Sequence, residues 1–152
     1  MNEFEGIINQ APLGKGRPRA VSVNGRARVY TPTATADWEH FAALALRAAY
    51  VDACSPEPAN YMTGPLGCEI VAVFSRTAEL LRKVKAGYKY PTWRLPHANK
   101  PDADNIAKSV LDAVEKAGII VDDKQIALLT VGKHYAMIHE EPRVEVRIWS
   151  LT

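Results

Sequence analysis

The 152-residue chain has only two cysteines, Cys54 and Cys68. They share neither the spacing of a metal site nor that of a disulfide framework, so both are read as reduced thiols. No run of eighteen apolar residues occurs, which excludes a membrane-spanning helix. No basic-then-apolar leader opens the chain, and a cytoplasmic protein is expected. Repeats and low-complexity tracts are absent as well. His97, His134 and His139 are scattered and suggest no shared chemistry. With 47% hydrophobic residues the chain can bury one core, yet it is too short for two ordinary domains, so residues 1–152 are read as a single domain.

Charge of one sign is scarce overall, the net being +2, but the balance is uneven along the chain. Residues 1–100 carry 13 Lys and Arg against 8 Asp and Glu, whereas residues 101–152 carry 6 against 9. Lys15, Arg17, Arg19, Arg26 and Arg28 follow one another with no acidic residue among them. A second basic stretch, Arg76, Arg82, Lys83, Lys85, Lys89, Arg94 and Lys100, is opposed only by Glu79. A basic run alone is commonly a solvated face. Beside an acidic cluster able to hold a cation, it reads as a surface for phosphates.

That acidic cluster is the segment Lys100-Pro101-Asp102-Ala103-Asp104-Asn105, followed later by Asp122-Asp123. Between the two, Ile106, Val110, Ala113, Val114 and Ala117 recur at the three-and-four spacing of a buried helical stripe, with Asp104, Lys108, Asp112 and Glu115 opposite. Gly118 is the expected cap, and Ile119-Ile120-Val121 is expected to begin an extended run that carries the chain back toward Asp104. Inside one helix Asp102 and Asp104 would point about 200° apart, so they could not share a ligand. The helix is therefore expected to start between them. Pro101 biases Lys100 toward an extended conformation, Asp102 suits the N-cap, and Asp104 opens the first turn, where backbone dipoles favour an anion by about 0.3–1 kcal/mol. Lys108, one turn on, lies on the same face as Asp104.

Either acidic motif alone is most simply a cap or a solvated turn. Together, with a lysine one turn into the helix, they read as a cation site. An EF-hand is excluded because the loop lacks its sixth-position glycine and twelfth-position glutamate. Hard carboxylate oxygens without cysteine or histidine nearby point to Mg²⁺, with Mn²⁺ as substitute, rather than zinc.

The remaining elements are legible in outline. Residues 4–10 begin like a strand, residues 14–19 form a turn-rich basic loop, and residues 21–30 read as a hairpin centred on Asn24-Gly25. Residues 35–50 form a helix expected to bury Trp38, Phe41, Ala42, Ala45 and Leu46. A proline-bearing connector (55–65) leads to a mostly apolar, central strand over 66–75, then a short helix over 78–87. Beyond it Tyr88, Tyr90 and Trp93 interleave with Lys89 and Arg94, a pattern that suits stacking on bases as well as simple packing. Strands over 125–136 and 143–149 close the fold, the second turning Val144, Val146 and Ile148 inward.

Three quoted stretches, residues 100–108, Leu111-Asp112-Ala113-Val114 and residues 118–126, closely resemble the RusA family of Holliday junction resolvases. Residues 15–19 and Tyr30-Thr31-Pro32 resemble its opening motif, and the likeness runs from residue 6 to about 148. The resemblance implies an α+β single small domain, a mixed sheet packed with two main helices, assembling as a two-fold homodimer. It implies a Mg²⁺-dependent crossover junction endodeoxyribonuclease that cuts four-way DNA by paired symmetric nicks in recombination and repair. Asp102, Asp104 and Asp123 match the catalytic, metal-holding positions, Lys108 the essential lysine, and Asp122 a supporting member of the metal set. Lys15, Arg17, Arg19, Arg28 and Lys100 are the expected DNA contacts. A nuclease for other branched DNA, and a catalytically silent junction-binding protein, are the alternatives. The intact set of three aspartates and a lysine argues against the second.

Overall fold

The structure is a computed structural model that describes residues 2–55, 57–87 and 93–152. Five strands build one mixed sheet in the order β1 (Glu3–Ile8), β7 (Arg143–Ser150), β4 (Leu66–Phe74), β6 (Ile126–Tyr135) and β5 (Leu95–Pro96). β4 and β6 are parallel; the other neighbours are antiparallel. A separate hairpin, β2 (Arg19–Val23) and β3 (Arg26–Tyr30), stands apart from this sheet. Three helices complete the domain: α1 (Thr33–Cys54), the short α2 (Ala78–Lys85) and α3 (Ala103–Lys116).

Alternation decides which side of the sheet is dry. Phe4 and Ile8 of β1, Val144, Val146 and Ile148 of β7, and Cys68, Ile70 and Ala72 of β4 are buried on the face against α1 and α3. β4 is the central strand, as its apolar run predicts. Burial in this layer pushes the Cys68 thiol up to about 12, so Cys68 is a core residue and not a reactive one. From α1 the core takes Trp38, Ala42, Leu46 and Tyr50. Phe41 lies outside this layer and is exposed on the opposite face with Leu44, because position 41 falls beyond the inward arc set by 38, 42, 46 and 50.

The stripe of α3 is buried as its periodicity predicts: Ile106, Val110, Ala113, Val114 and Ala117 all face the core. The helix ends in a Schellman motif, in which Ile119 N donates to Val114 O and Gly118 N to Glu115 O. Gly118 takes the required left-handed conformation at φ +69°. The next residues correct an expectation. Residues 119–121 form no strand. Ile119 and Ile120 plug the core in an irregular connector, where Ile119 O accepts from Met62 N at 2.8 Å. A 3-10 turn (Asp123–Gln125) follows, and β6 starts only at Ile126.

β6 is poorly covered. Among the described residues its outer edge is paired only near its end, by β5 at Tyr135 and His134 and by His97 N at Lys133 O. Ala127, Leu128, Leu129 and Thr130 are exposed in succession, hence on both faces. No charged residue or proline interrupts Ile126 to Gly132.

Candidate active site

Asp102 occupies the N-cap position of α3 with extended backbone (φ −70°, ψ 151°), as predicted, but its carboxylate makes no capping bond. It is left free for another partner. Asp104 opens the first turn and meets Lys108 Nζ at 3.3 Å, both side chains being well exposed. The basic opening loop lies over this helix start. Lys15 N donates to Asn105 O at 2.9 Å, and Gly14 passes so close to Pro101 that a Cβ there would stand 2.6 Å from the proline Cβ. An open recess results, lined by Lys15, Arg17, Asp102, Asp104, Asn105 and Lys108, about 470 Å³ in volume. Lys100 borders an adjoining recess with Asp102 and Arg17.

Asp122 and Asp123 stand elsewhere. They follow the far end of α3, whose fourteen residues at about 1.5 Å each put roughly 20 Å between the helix start and the connector that leads to them. A second ruler agrees. The chain leading to Asp102 leaves the sheet beside Lys133, whose carbonyl accepts from His97 N, while the Asp123 turn precedes Ile126 at the other end of β6. Seven strand residues span about 23 Å. Consistently, among the described residues no three acidic, histidine or cysteine side chains of one chain are gathered around a point that could hold a metal ion.

The two aspartates of that turn are not equivalent. Asp122 caps it, accepting from Lys124 N at 2.9 Å and pairing with Lys124 Nζ at 3.0 Å, while Gln125 Oε1 accepts from the backbone of Val121 and Asp122. The Lys124 backbone N–H bond, chiefly, holds the Asp122 carboxyl below its ordinary range. Asp123 is exposed beside it. The donor set suits a hard divalent cation, since the recess offers exposed carboxylate oxygens and neither thiol nor imidazole.

The predicted phosphate contacts divide into two kinds. Lys15 turns inward, its ammonium held by Asp112 and lying 3.8 Å from buried Glu39, which also pairs with Lys116. Arg17, Arg19, Arg26 and Arg28 are exposed and have no carboxylate partner among the described residues. Cross-strand partners share a face, and the hairpin register (Arg19 with Tyr30, Val21 with Arg28, Val23 with Arg26) puts three arginines on one side of the ribbon. Its turn is the expected Asn24-Gly25, both residues at positive φ.

Of the second basic stretch, Arg94 is taken up by an ion network. It bonds Glu140 at 2.5 Å and Glu145 at 2.7 Å, and lowers the pKa of both carboxyls. Trp93 is exposed, whereas Tyr88, Lys89 and Tyr90 lie outside the described residues.

Sequence reasoning passed over two residues beside the site. Glu39, buried inside α1, is the counter-charge that draws Lys15 inward. Lys133 reaches from β6 to the backbone just before Asp102. Neither belongs to a motif, and Lys133 reads in sequence as one more polar strand residue.

Comparison with known proteins shows the family of the chain. Over 137 residues the chain is 31% identical to an uncharacterized protein, YqaN, of Bacillus subtilis (strain 168), covering 90% of this chain and 89% of that one. Residues 9–149 match the family described as Endodeoxyribonuclease RusA, a span holding the helix start, the 3-10 turn and the basic hairpin alike. With nearly its whole length matched, the chain belongs to the RusA endodeoxyribonuclease family.

Proposed function

We propose that the protein is a Mg²⁺-dependent nuclease that resolves four-way DNA junctions in recombination and repair, acting in the cytoplasm of its host as a two-fold dimer. The observation that carries this reading is the recess itself, where Asp102, Asp104 and Lys108 open onto the arginines of the loop and hairpin, in a chain of this family. Asp102, Asp104 and Asp123 would hold the cation, with Asp122 supporting Asp123 through the turn it caps. When bound, Mg²⁺ supplies a water of lowered pKa and neutralises charge on the scissile phosphate. Lys108 stabilises the charge that develops beside it, and Arg17, Arg19, Arg28 and Lys100 carry the flanking phosphates.

One chain leaves Asp123 far from Asp102, and this distance favours the dimer. The open, charge-free edge of β6 suits a second copy: antiparallel pairing of two β6 strands about a dyad is self-complementary and satisfies the free backbone groups. Such pairing sets the start of one β6 against the end of the other. Asp123 of the partner subunit then approaches Asp102 and Asp104, meeting the positive surroundings made by Lys100, Lys108 and Lys133. A dimer of this kind carries two sites related by the dyad, matching the approximate two-fold symmetry of a four-way junction.

Incubating the protein with a labelled four-way junction and a matching linear duplex, with and without Mg²⁺, tests the reading. Metal-dependent paired nicks in the junction are expected, with the duplex spared. Preferred cutting of flaps would move the substrate to other branched DNA, and binding without cleavage under any divalent metal would leave a junction-binding protein.

A further inference from the structure

The backbone ladder that ties the approach segment to β6 ends at His97, whose N–H reaches Lys133 O at 3.0 Å. Beyond it the Lys133 side chain takes over. Its ammonium donates to Asn99 O at 2.6 Å and to Pro101 O at 2.7 Å, carbonyls on either side of the bend made at the cis Lys100–Pro101 peptide. The segment is held further by His97 stacked on Phe74 at 3.9 Å, and by Asn99 Nδ2 donating to the Tyr135 hydroxyl at 3.0 Å. Lys133 is partly buried, and among the described residues no carboxylate pairs with it. An ammonium has three donors; two are spent on the carbonyls immediately ahead of Asp102.

The need for such a clamp follows from the helix start. Asp102 forgoes its own capping bond, so nothing in its side chain fixes the turn from Pro101 into α3. Gly14 presses on Pro101 from the loop side, and Lys133 holds the same peptide from the sheet side. We propose that Lys133 is a positioning residue for the acidic site: it fixes the Asn99–Pro101 backbone so that the uncapped Asp102 carboxylate stays directed at the metal. This rests on the metal-nuclease reading above. Lys133 acts through the main chain and touches neither substrate nor cation.

Lys133→Met, which keeps the length and removes the donors, tests this in the whole chain. Expected are a fall in kcat of roughly 10²-fold with junction Kd within about twofold of wild type, and Mg²⁺ affinity by calorimetry weakened roughly tenfold. The Asn99 and Ala103 amides should gain mobility in NMR relaxation, while Lys133→Arg, whose fork can still span two carbonyls, should keep them ordered. If the methionine variant fails to fold, the arginine variant carries the same readouts, with near-native ordering and metal affinity expected. Weaker junction binding at unchanged kcat would make Lys133 a phosphate contact and overturn the proposal. So would unchanged metal affinity and amide order in Lys133→Met. Absence of cleavage in the wild type would remove the nuclease reading, yet amide order would still decide what Lys133 does.

Discussion

Asp102 and Asp123 stand at opposite ends of α3, one at its N-cap and the other in the 3-10 turn beyond its C-terminus. Both are exposed, and α3 lies between them in the chain. In the dimer proposed above, a site that uses both draws them from two chains.

Complementation provides the direct test. Asp104→Asn and Asp123→Asn homodimers should each be inactive. Co-expressed heterodimers should recover nicking of one strand, because one of their two sites draws wild-type residues from both chains. Retention of one Mn²⁺ per heterodimer, read by electron paramagnetic resonance, should accompany the recovered activity. A heterodimer as inert as its parents would place the full acidic set within each chain.

Single substitutions should separate the four aspartates. Asp102→Asn, Asp104→Asn and Asp123→Asn remove metal charge and relieve repulsion toward phosphate, so cleavage should vanish while junction affinity holds or rises. Asp122→Asn should keep most activity, since Asn caps a turn about as well as Asp. Gel-shift and cleavage assays on the same preparations decide each case.

Lys108→Ala should lower turnover by roughly 10²-fold and leave junction affinity nearly unchanged, because the lost charge acts where the transition state gains its own. A change confined to Kd would identify a phosphate clamp instead.

The basic residues should split by role. Replacing Arg17, Arg19 and Arg28 by Ala should flatten the salt dependence of DNA binding by about 0.9 in slope for each phosphate no longer neutralised. Lys15→Ala should leave that slope alone and cost roughly 1–3 kcal/mol of stability, since it strips Asp112 of its partner and leaves buried Glu39 to Lys116. Salt titrations and urea unfolding read the two effects separately.

Acid should loosen the Arg94 network only below the ordinary carboxylate range. Hydrogen bonds from Arg94 hold the Glu140 and Glu145 carboxyls below their ordinary value of 4.5, so their contribution is complete above that pH and fades as pH drops through the lowered folded values. Glu140→Gln should reduce the melting temperature at neutral pH and shrink its further decline in acid. An acid limb as steep as wild type would show that other groups set it.

Periodicity and turn chemistry made much of this fold readable in advance. The α3 stripe from Ile106 to Ala117 is dictated by spacing, and the hairpin by Asn24-Gly25, because both signals are local. Ile119 and Ile120 misled, since two buried β-branched residues look alike in a strand and in a core-plugging connector. Phe41 misled in another way: helical spacing defines an arc, and a residue at its margin can face either side. In the candidate site, the spacing of Asp102, Asp104, Lys108 and Asp123 was visible as chemistry. The separation of Asp102 from Asp123 was not, because it depends on α3 being followed by a turn rather than a returning strand. The inward pull of Glu39 on Lys15 joins residues from distant elements and leaves no pattern along the chain.

The sheet carries a consequence for how the domain is assembled. Among the described residues β1 pairs with β7 alone, so a strand made early waits for one made about 140 residues later, Glu3 meeting Trp149 and Ile8 meeting Val144. Until then β1 can rest only on α1, and the central β4 lacks its β7 neighbour. Pairings this distant in sequence slow folding, so a ribosome-bound chain should hold an incomplete sheet until β7 has emerged. The same adjacency makes the two ends neighbours. Joining them through a short linker and opening the chain at the Asn24-Gly25 tip would reorder synthesis while preserving every strand pairing except the continuity of that hairpin.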